Sequence, residues 1–326
     1  MFDLRRREFV TLLGGAAVGW PLAARAQQPA RVRRIGILLF ADSDRPIIAP
    51  FLRELETLGY VDGKTAAIEY RNAEGRFDRL PELAAELVRS NPEVIFSYGG
   101  EQAPIVKKAT GSIPIVVVVS NDPVASGLVA SLGRPGGNIT GVTYVHDQLA
   151  GKTIELLKEA APRVSRVAIL WNPNHTDPEF RETERAARSR GIPLQSLEVR
   201  EEHDFERAFE AATRQQAEAL IVVGARLLAQ HRRRIGDFAG ENRLILVGTP
   251  QWSMEVGALL SYGPNAAELH RRAAYFVDKI LKGAKPHDLP MEQPTHFVLA
   301  INLKMAKALA LDIPPTLLAR ADRVLE

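Results

Sequence analysis

From Val32 onward the chain alternates short apolar runs with stretches whose apolar residues return every three or four positions, the two periods that separate strand from helix. Val32 to Phe40 (VRRIGILLF) reads as a buried strand after a basic start. Ile47 to Leu58 reads as a helix, because Ile47, Phe51 and Leu55 fall four apart beside Ile48, Leu52 and Leu58, and Gly59 closes it. Strands are predicted at Ala66 to Tyr70, Val94 to Ser97 and Ile115 to Val119, with helices from about Arg79 to Arg89, capped by Asp78, and from Glu101 to Thr110. The β-branched run at Ile115 to Val119 does not alternate, which marks a strand covered on both faces. The fold class is therefore α/β, with parallel sheets and helices on each side.

Around Gly133 to Gly141 (GRPGGNITG) the cycle stops, as at a loop or lobe boundary, and then restarts. The second series runs helix Lys152 to Glu159, strand Val167 to Trp171, helix Glu179 to Arg190, strand Leu194 to Val199, helix Phe205 to Gln216 and strand Ala219 to Val223. A helix from about Leu228 to Asn242 and strands at Leu244 to Val247 and Ala258 to Ser261 follow. Two series of similar length imply two lobes of one architecture. Leu269, Ala273, Phe276, Val277 and Ile280 mark a helix that belongs to neither series in order, before a strand at Phe297 to Ile301 and a helix at Lys304 to Leu311. Such a tail suggests that the chain crosses back between lobes.

The first 26 residues follow another rule: Arg5, Arg6 and Arg7, an uncharged stretch from Thr11 to Ala24, then Ala24-Arg25-Ala26. That is the order of a cleaved export signal, and Arg6-Arg7 with Phe9 resembles the twin-arginine type. Cleavage after Ala26 removes four of 42 basic and two of 39 acidic side chains, leaving 38 against 37. The basic balance nearly vanishes, and with it the case for a nucleic-acid partner. Cysteine is absent, so there is no disulfide, thiol nucleophile or lipid-accepting residue at the cleavage site. No later stretch is long and apolar enough to span a bilayer. The expectation is an exported chain, free in the periplasm, not embedded in a membrane and monomeric.

In a parallel sheet the loops after the strands gather at one edge, where ligands bind. The first series places Phe40 to Ser43, Tyr98 to Gln102 and Ser120 to Pro123 there; the second places Trp171 to Thr176, Gly224 to Leu227 and Thr249 to Ser253. From these loops Phe40, Ser43, Gln102 and Asn172 are candidate ligand contacts. Gly99 and Gly100 make a tight turn or offer bare amides to a carboxylate. Asp122, before Pro123, caps a turn or holds a ligand ammonium or hydroxyl. Trp171 and Trp252 line the cleft or belong to the core, and Arg226 pairs a ligand carboxylate or lies in solvent. The histidines are scattered without ligand spacing and six of the seven read as surface residues; His175, after Trp171, is the exception worth naming as a contact. There is no G-x-S-x-G, no phosphate loop and no H-E-x-x-H, so no catalytic residue, metal or cofactor is expected.

In order along the chain, Ser120-Asn121-Asp122-Pro123-Val124 with Gly127-Leu128-Val129, Arg134 to Val142 (RPGGNITGV), Leu260-Ser261-Tyr262-Gly263 and Ile301-Asn302-Leu303 with Ala306-Lys307-Ala308-Leu309 resemble the substrate-binding proteins of ABC transporters. Ile313-Pro314 and Ala321-Asp322 extend the resemblance, which points to the type 1 periplasmic binding group with tryptophan- and tyrosine-binding members. It implies two Rossmann-like lobes joined by three crossovers, near Thr143 to His146, Tyr262 to Asn265 and Met291 to His296. The lobes would be 32–143 plus 263–292 and 146–261 plus 296–326. It also implies a site at Gly99, Gly100, Asn121, Asp122 and Thr143, and an importer permease as partner. Many relatives carry a lipid-anchoring cysteine, which this chain lacks. The expected function is capture of a small organic ligand, an aromatic or branched amino acid or a related carboxylate. A ligand sensor is the alternative, and an enzyme using Asp122 or His175 is a third reading that a histidine touching a carboxylate would favour.

Overall fold

A computed structural model describes residues 32–144, 149–175, 179–250 and 252–326. The expected leader and the part of the first crossover around His146 lie outside the described residues. The first sheet takes β1 (Arg33–Leu39), β2 (Ala66–Asn72), β3 (Val94–Tyr98), β4 (Ile115–Val119) and β5 (Ile139–Thr143), in the order β2-β1-β3-β4-β5 and parallel throughout. Helices α1 (Asp44–Thr57), α2 (Leu80–Arg89) and α3 (Ala103–Ala109) connect its strands. Every residue of β4 is buried, and odd and even positions feed different cores: Val116 and Val118 face α1, Val117 and Val119 face α2 and α3. In α1 the buried stripe is Ile48, Phe51 and Leu55, while Ile47 is exposed. Phe51 stacks on Phe96 of β3 with centroids 3.8 Å apart.

The second sheet is built from β6 (Val167–Trp171), β7 (Leu194–Glu198), β8 (Ala219–Val222), β9 (Ile245–Gly248), β10 (Leu260–Pro264), β11 (Phe297–Asn302) and β12 (Arg323–Leu325). Its order is β12-β11-β10-β9-β8-β6-β7. It is parallel except where β11 meets β10, because β11 arrives from the opposite end. Helices α4 (Leu149–Ala160), α5 (Glu179–Ser189), α6 (Asp204–Arg214), α7 (Arg226–Gln230) and α8 (Arg232–Glu241) flank it. After β10 the chain leaves this sheet at Asn265, whose side chain caps α9 (Ala266–Leu281) by accepting the Glu268 amide. The apolar stripe of α9, Leu269 to Ile280, packs in one core with α1, β1 and β3 of the first sheet. The chain then returns to β11, and the second lobe is finished by α10 (Leu303–Ala308), which lies beside β12, and α11 (Pro315–Leu318), which packs on α4.

Several expected elements differ. The GRPGGNITG stretch is not only a loop, since its end forms β5, pairing Val117 with Gly141. Gly141 makes that possible: its φ is +142° and a β-carbon there would lie 2.1 Å from the Val117 carbonyl oxygen. The single helix expected over 228–242 breaks at His231 into α7 and α8. Strand β10 begins two residues later than expected, and Asp78 sits in a 3-10 turn rather than capping α2.

Candidate functional site

The loops that follow the parallel strands of the two sheets meet, and five side chains bind them together. Arg226, the first residue of α7, reaches from the second lobe to Asp44, the first residue of α1 in the first: Nη1 donates to Oδ1 at 2.5 Å. Asp44 is buried and fixed by its own turn, Oδ2 accepting from the Phe40 and Ala41 amides at 2.9 and 3.3 Å. The guanidinium lies over the Phe40 ring at 4.7 Å and the Tyr98 ring at 5.7 Å. Burial pushes the Tyr98 hydroxyl up to about 12, against the pull of Arg226, so the ring is neutral.

His175 makes the second bridge. The Asn172 side chain accepts the Asn174 amide and the Asn172 carbonyl accepts the His175 amide, a turn that lifts the imidazole off the end of β6. Its Nε2 meets Ser120 Oγ at 3.0 Å and its Nδ1 meets Glu101 Oε1 at 3.2 Å, both in the first lobe. A neutral imidazole with Nδ1–H donating to the carboxylate accepts the serine proton at Nε2, and a protonated one donates from both nitrogens. Burial by itself raises the Glu101 carboxyl, but the His175 hydrogen bond and charge, with the Arg226 charge, outweigh it and hold the group near 2.

Around this bridge the first lobe is shaped for close approach. Gly99 has a φ of +112°, and a β-carbon on it would lie 2.8 Å from Arg226 Nη2; one on Gly100 would lie 2.7 Å from Asn121 Oδ1. Gln102 donates to the Tyr98 carbonyl at 2.6 Å, and its Oε1, like Asn121 Oδ1, is buried without a hydrogen-bond partner among the described residues. Thr143, buried at the end of β5, donates to the Asn121 carbonyl and takes up the Glu292 carbonyl through its amide. That pairing ties the end of β5 to the segment that leads into β11.

Of the residues singled out in the sequence, Phe40, Gly99, Gly100, Gln102, Asn121, Thr143, Asn172, His175 and Arg226 gather here. Ser43 is exposed at the start of α1 and caps nothing. Asp122 takes the Val124 and Ala125 amides at 2.8 and 3.0 Å, the turn-capping alternative. Trp171 is stacked on Phe180 at 3.9 Å and donates to Ser196 of the edge strand β7, and Trp252 belongs to the core cluster of Phe205, Leu228 and Leu246. Neither tryptophan joins the bridges, because each has a nearer apolar partner in its own lobe. His175, the histidine named as a contact, is buried between the lobes, whereas His270 of α9, one of the six read as surface, is fully buried beside Tyr98, where burial depresses its imidazole to about 4. Asp44, Glu101 and Ser120 were not singled out. Among the described residues no group of three or more His, Asp or Glu side chains could hold a metal ion, and no helix is long and apolar enough to cross a membrane.

Two α/β lobes whose strand-end loops face each other, drawn together by side chains from both sides, define a protein built to hold a guest in the cleft between them. The chain belongs to the family described as ABC transporter substrate binding protein, whose profile matches residues 35–325. It is similar to a tyrosine-binding protein of Clostridioides difficile (strain R20291), 25% identical over 262 residues, 79% of this chain and 75% of that one. Among solved structures it resembles an ABC domain in complex with L-Trp from Streptococcus pneumoniae, with a TM-score of 0.84, 24% identity, and coverage of 90% of this chain and 100% of that chain. It also resembles the ligand-free, open structure of a substrate-binding protein with adhesive properties from Clostridium difficile, with a TM-score of 0.70, 24% identity, and coverage of 90% and 99%. The architecture is that of the type 1 periplasmic binding proteins, and the family is one of solute-binding proteins rather than enzymes.

Proposed function

We propose that this chain is an exported solute-binding protein that closes on an amino acid, most readily one with an aromatic side chain, and presents it to an ABC importer. The observation that carries the reading is the pair of bridges, Arg226 to Asp44 and His175 to Ser120 and Glu101, which join loops of opposite lobes where a guest would be gripped. The tyrosine-binding relative and the L-Trp complex supply the ligand class. The higher TM-score with the L-Trp complex than with the open structure goes with lobes that touch. Closure works by differential binding: a ligand that contacts both lobes only when they meet shifts the population toward the closed form, which the importer then senses. In this reading Gly99, Gly100, Gln102, Asn121 and Thr143 contact the ligand from the first lobe, and His175 and Arg226 from the second. The leader routes the protein through the twin-arginine path to the periplasm, where it works as a freely diffusing monomer with lobes 32–143 plus 263–292 and 146–261 plus 296–326. Calorimetry against L-tryptophan, L-tyrosine, L-leucine and aromatic acids tests it; saturable binding of one amino acid is expected, and no heat from any of them would sink it.

One contact favours a second reading. Ser120, His175 and Glu101 stand in the order of a nucleophile, its base and the group that orients the base. The serine and the histidine, however, sit on opposite lobes and part whenever the cleft opens, so binding takes precedence. Hydrolysis of an amino-acid p-nitrophenyl ester that disappears in Ser120→Ala would reverse that ranking.

A further inference from the structure

Three groups of the first lobe surround the Arg226 guanidinium. Asp44, 1% exposed, offers Oδ1 to it from a carboxylate whose other oxygen is held by two amides, and the Phe40 and Tyr98 rings give it two π faces. Gly99 keeps the space open, since any side chain there would meet Arg226 Nη2. A fixed carboxylate with two aromatic walls is a cage for an organic cation, and its chemistry suits an ammonium group as well as a guanidinium. All three walls belong to one lobe and the cation to the other. When the lobes part, the cage stays whole and its occupant leaves with α7.

We propose that Phe40, Asp44 and Tyr98 form the subsite for the ligand's ammonium group, and that Arg226 is that group's internal stand-in. The proposal rests on the amino-acid reading and adds an exchange of partners. The ligand ammonium takes the place of Arg226 on Asp44, and the freed guanidinium pairs the ligand carboxylate through two parallel N–H donors. Four charges are re-paired and none is left buried alone, the outcome that would be costly. Asn121 Oδ1 and Gln102 Oε1, buried acceptors with no partner among the described residues, supply further sites for the ammonium protons. A ligand lacking the ammonium leaves Arg226 on Asp44, and a ligand lacking the carboxylate must compete with Arg226 and offers it nothing in return.

Calorimetry on the full chain with L-tryptophan, tryptamine and indole-3-propionic acid separates these parts. Phe40→Leu is expected to weaken L-tryptophan about tenfold or more while leaving indole-3-propionic acid unchanged, and Asp44→Asn to weaken L-tryptophan by as much while tightening indole-3-propionic acid, whose carboxylate then meets a freed Arg226. Arg226→Gln is expected to tighten tryptamine several-fold, because the competing cation is gone. Asp44→Asn also loosens its own turn, so Phe40→Leu, which keeps those hydrogen bonds, carries the comparison if the first variant melts early. Equal losses for L-tryptophan and indole-3-propionic acid, or tryptamine binding unaltered by Arg226→Gln, would overturn the cage. L-tryptophan binding indifferent to the cage variants would sink the cage and keep the amino-acid reading. Cage-dependent tryptamine binding without amino-acid binding would do the reverse, and no binding of any probe would sink both.

Discussion

Glu101 is the residue through which acid reaches the closed cleft. Its carboxyl is held near 2 against an ordinary 4.5, so its stabilising contribution is complete above about pH 5 and is lost as the pH falls toward 2. The melting-temperature gap between the protein and Glu101→Gln should therefore be constant above about pH 5 and shrink steadily below it; circular dichroism melts from neutral to acid pH read this, and an equal gap at both ends would refute it. Gly141 governs stability by a different route, through space rather than charge. Gly141→Ala should cost about 2 kcal/mol or more, because a left-handed φ and a clash with Val117 coincide, whereas Gly133→Ala, facing open space, should stay within about 0.5 kcal/mol in urea unfolding. The sequence showed which loops to search, and Arg226 and His175 stood in them with a chemistry of their own. Their partners could not be read, because Asp44, Glu101 and Ser120 lie 182, 74 and 55 residues away and share no local pattern with them.

At the scale of elements, legibility followed length and continuity. β4 and β6 are unbroken apolar runs that the sequence reading matches to the residue, and β1 follows its basic start with a buried apolar stretch, while β5 carries a glycine at its centre and β12 is three residues with little burial. The helix expected from about Leu228 to Asn242 is interrupted by a turn at His231, and both pieces reach the same core, α7 through Leu228 and α8 through Ile235 and Ala239. α9 shows how an element's period can be legible while its destination is only suggested: the stripe announces a buried face, and packing assigns that face to the first sheet. Phe276→Ala should remove a buried ring from that core and cost about 3–5 kcal/mol. Hydrogen exchange should then speed up in β1 and β3 and stay near its original rate in β8 and β9; uniform acceleration through both sheets would show instead that the lobes unfold as one unit.

For the whole molecule the two bridges act on a single equilibrium between open and closed lobes. A hydrogen bond to a charged group contributes about 1.5–3 kcal/mol, so loss of either bridge should shift the closed-to-open ratio by roughly ten- to a hundredfold. The bridges share no side chain, although Arg226 also lowers the Glu101 carboxyl through its charge, so the two losses should add apart from a small coupling. Small-angle scattering should give a radius of gyration that rises from the unaltered protein to His175→Ala and Arg226→Ala and is largest in the double variant. Thermal stability of each lobe should change far less, since neither residue supports the core of its own sheet. A ligand gripping both lobes should draw the single variants back toward the compact value, because it adds contacts to the closed form alone. If all four proteins scatter alike, the lobes are held by the crossovers and not by the side chains between them, and the grip assigned to the cleft would have no part in its closing.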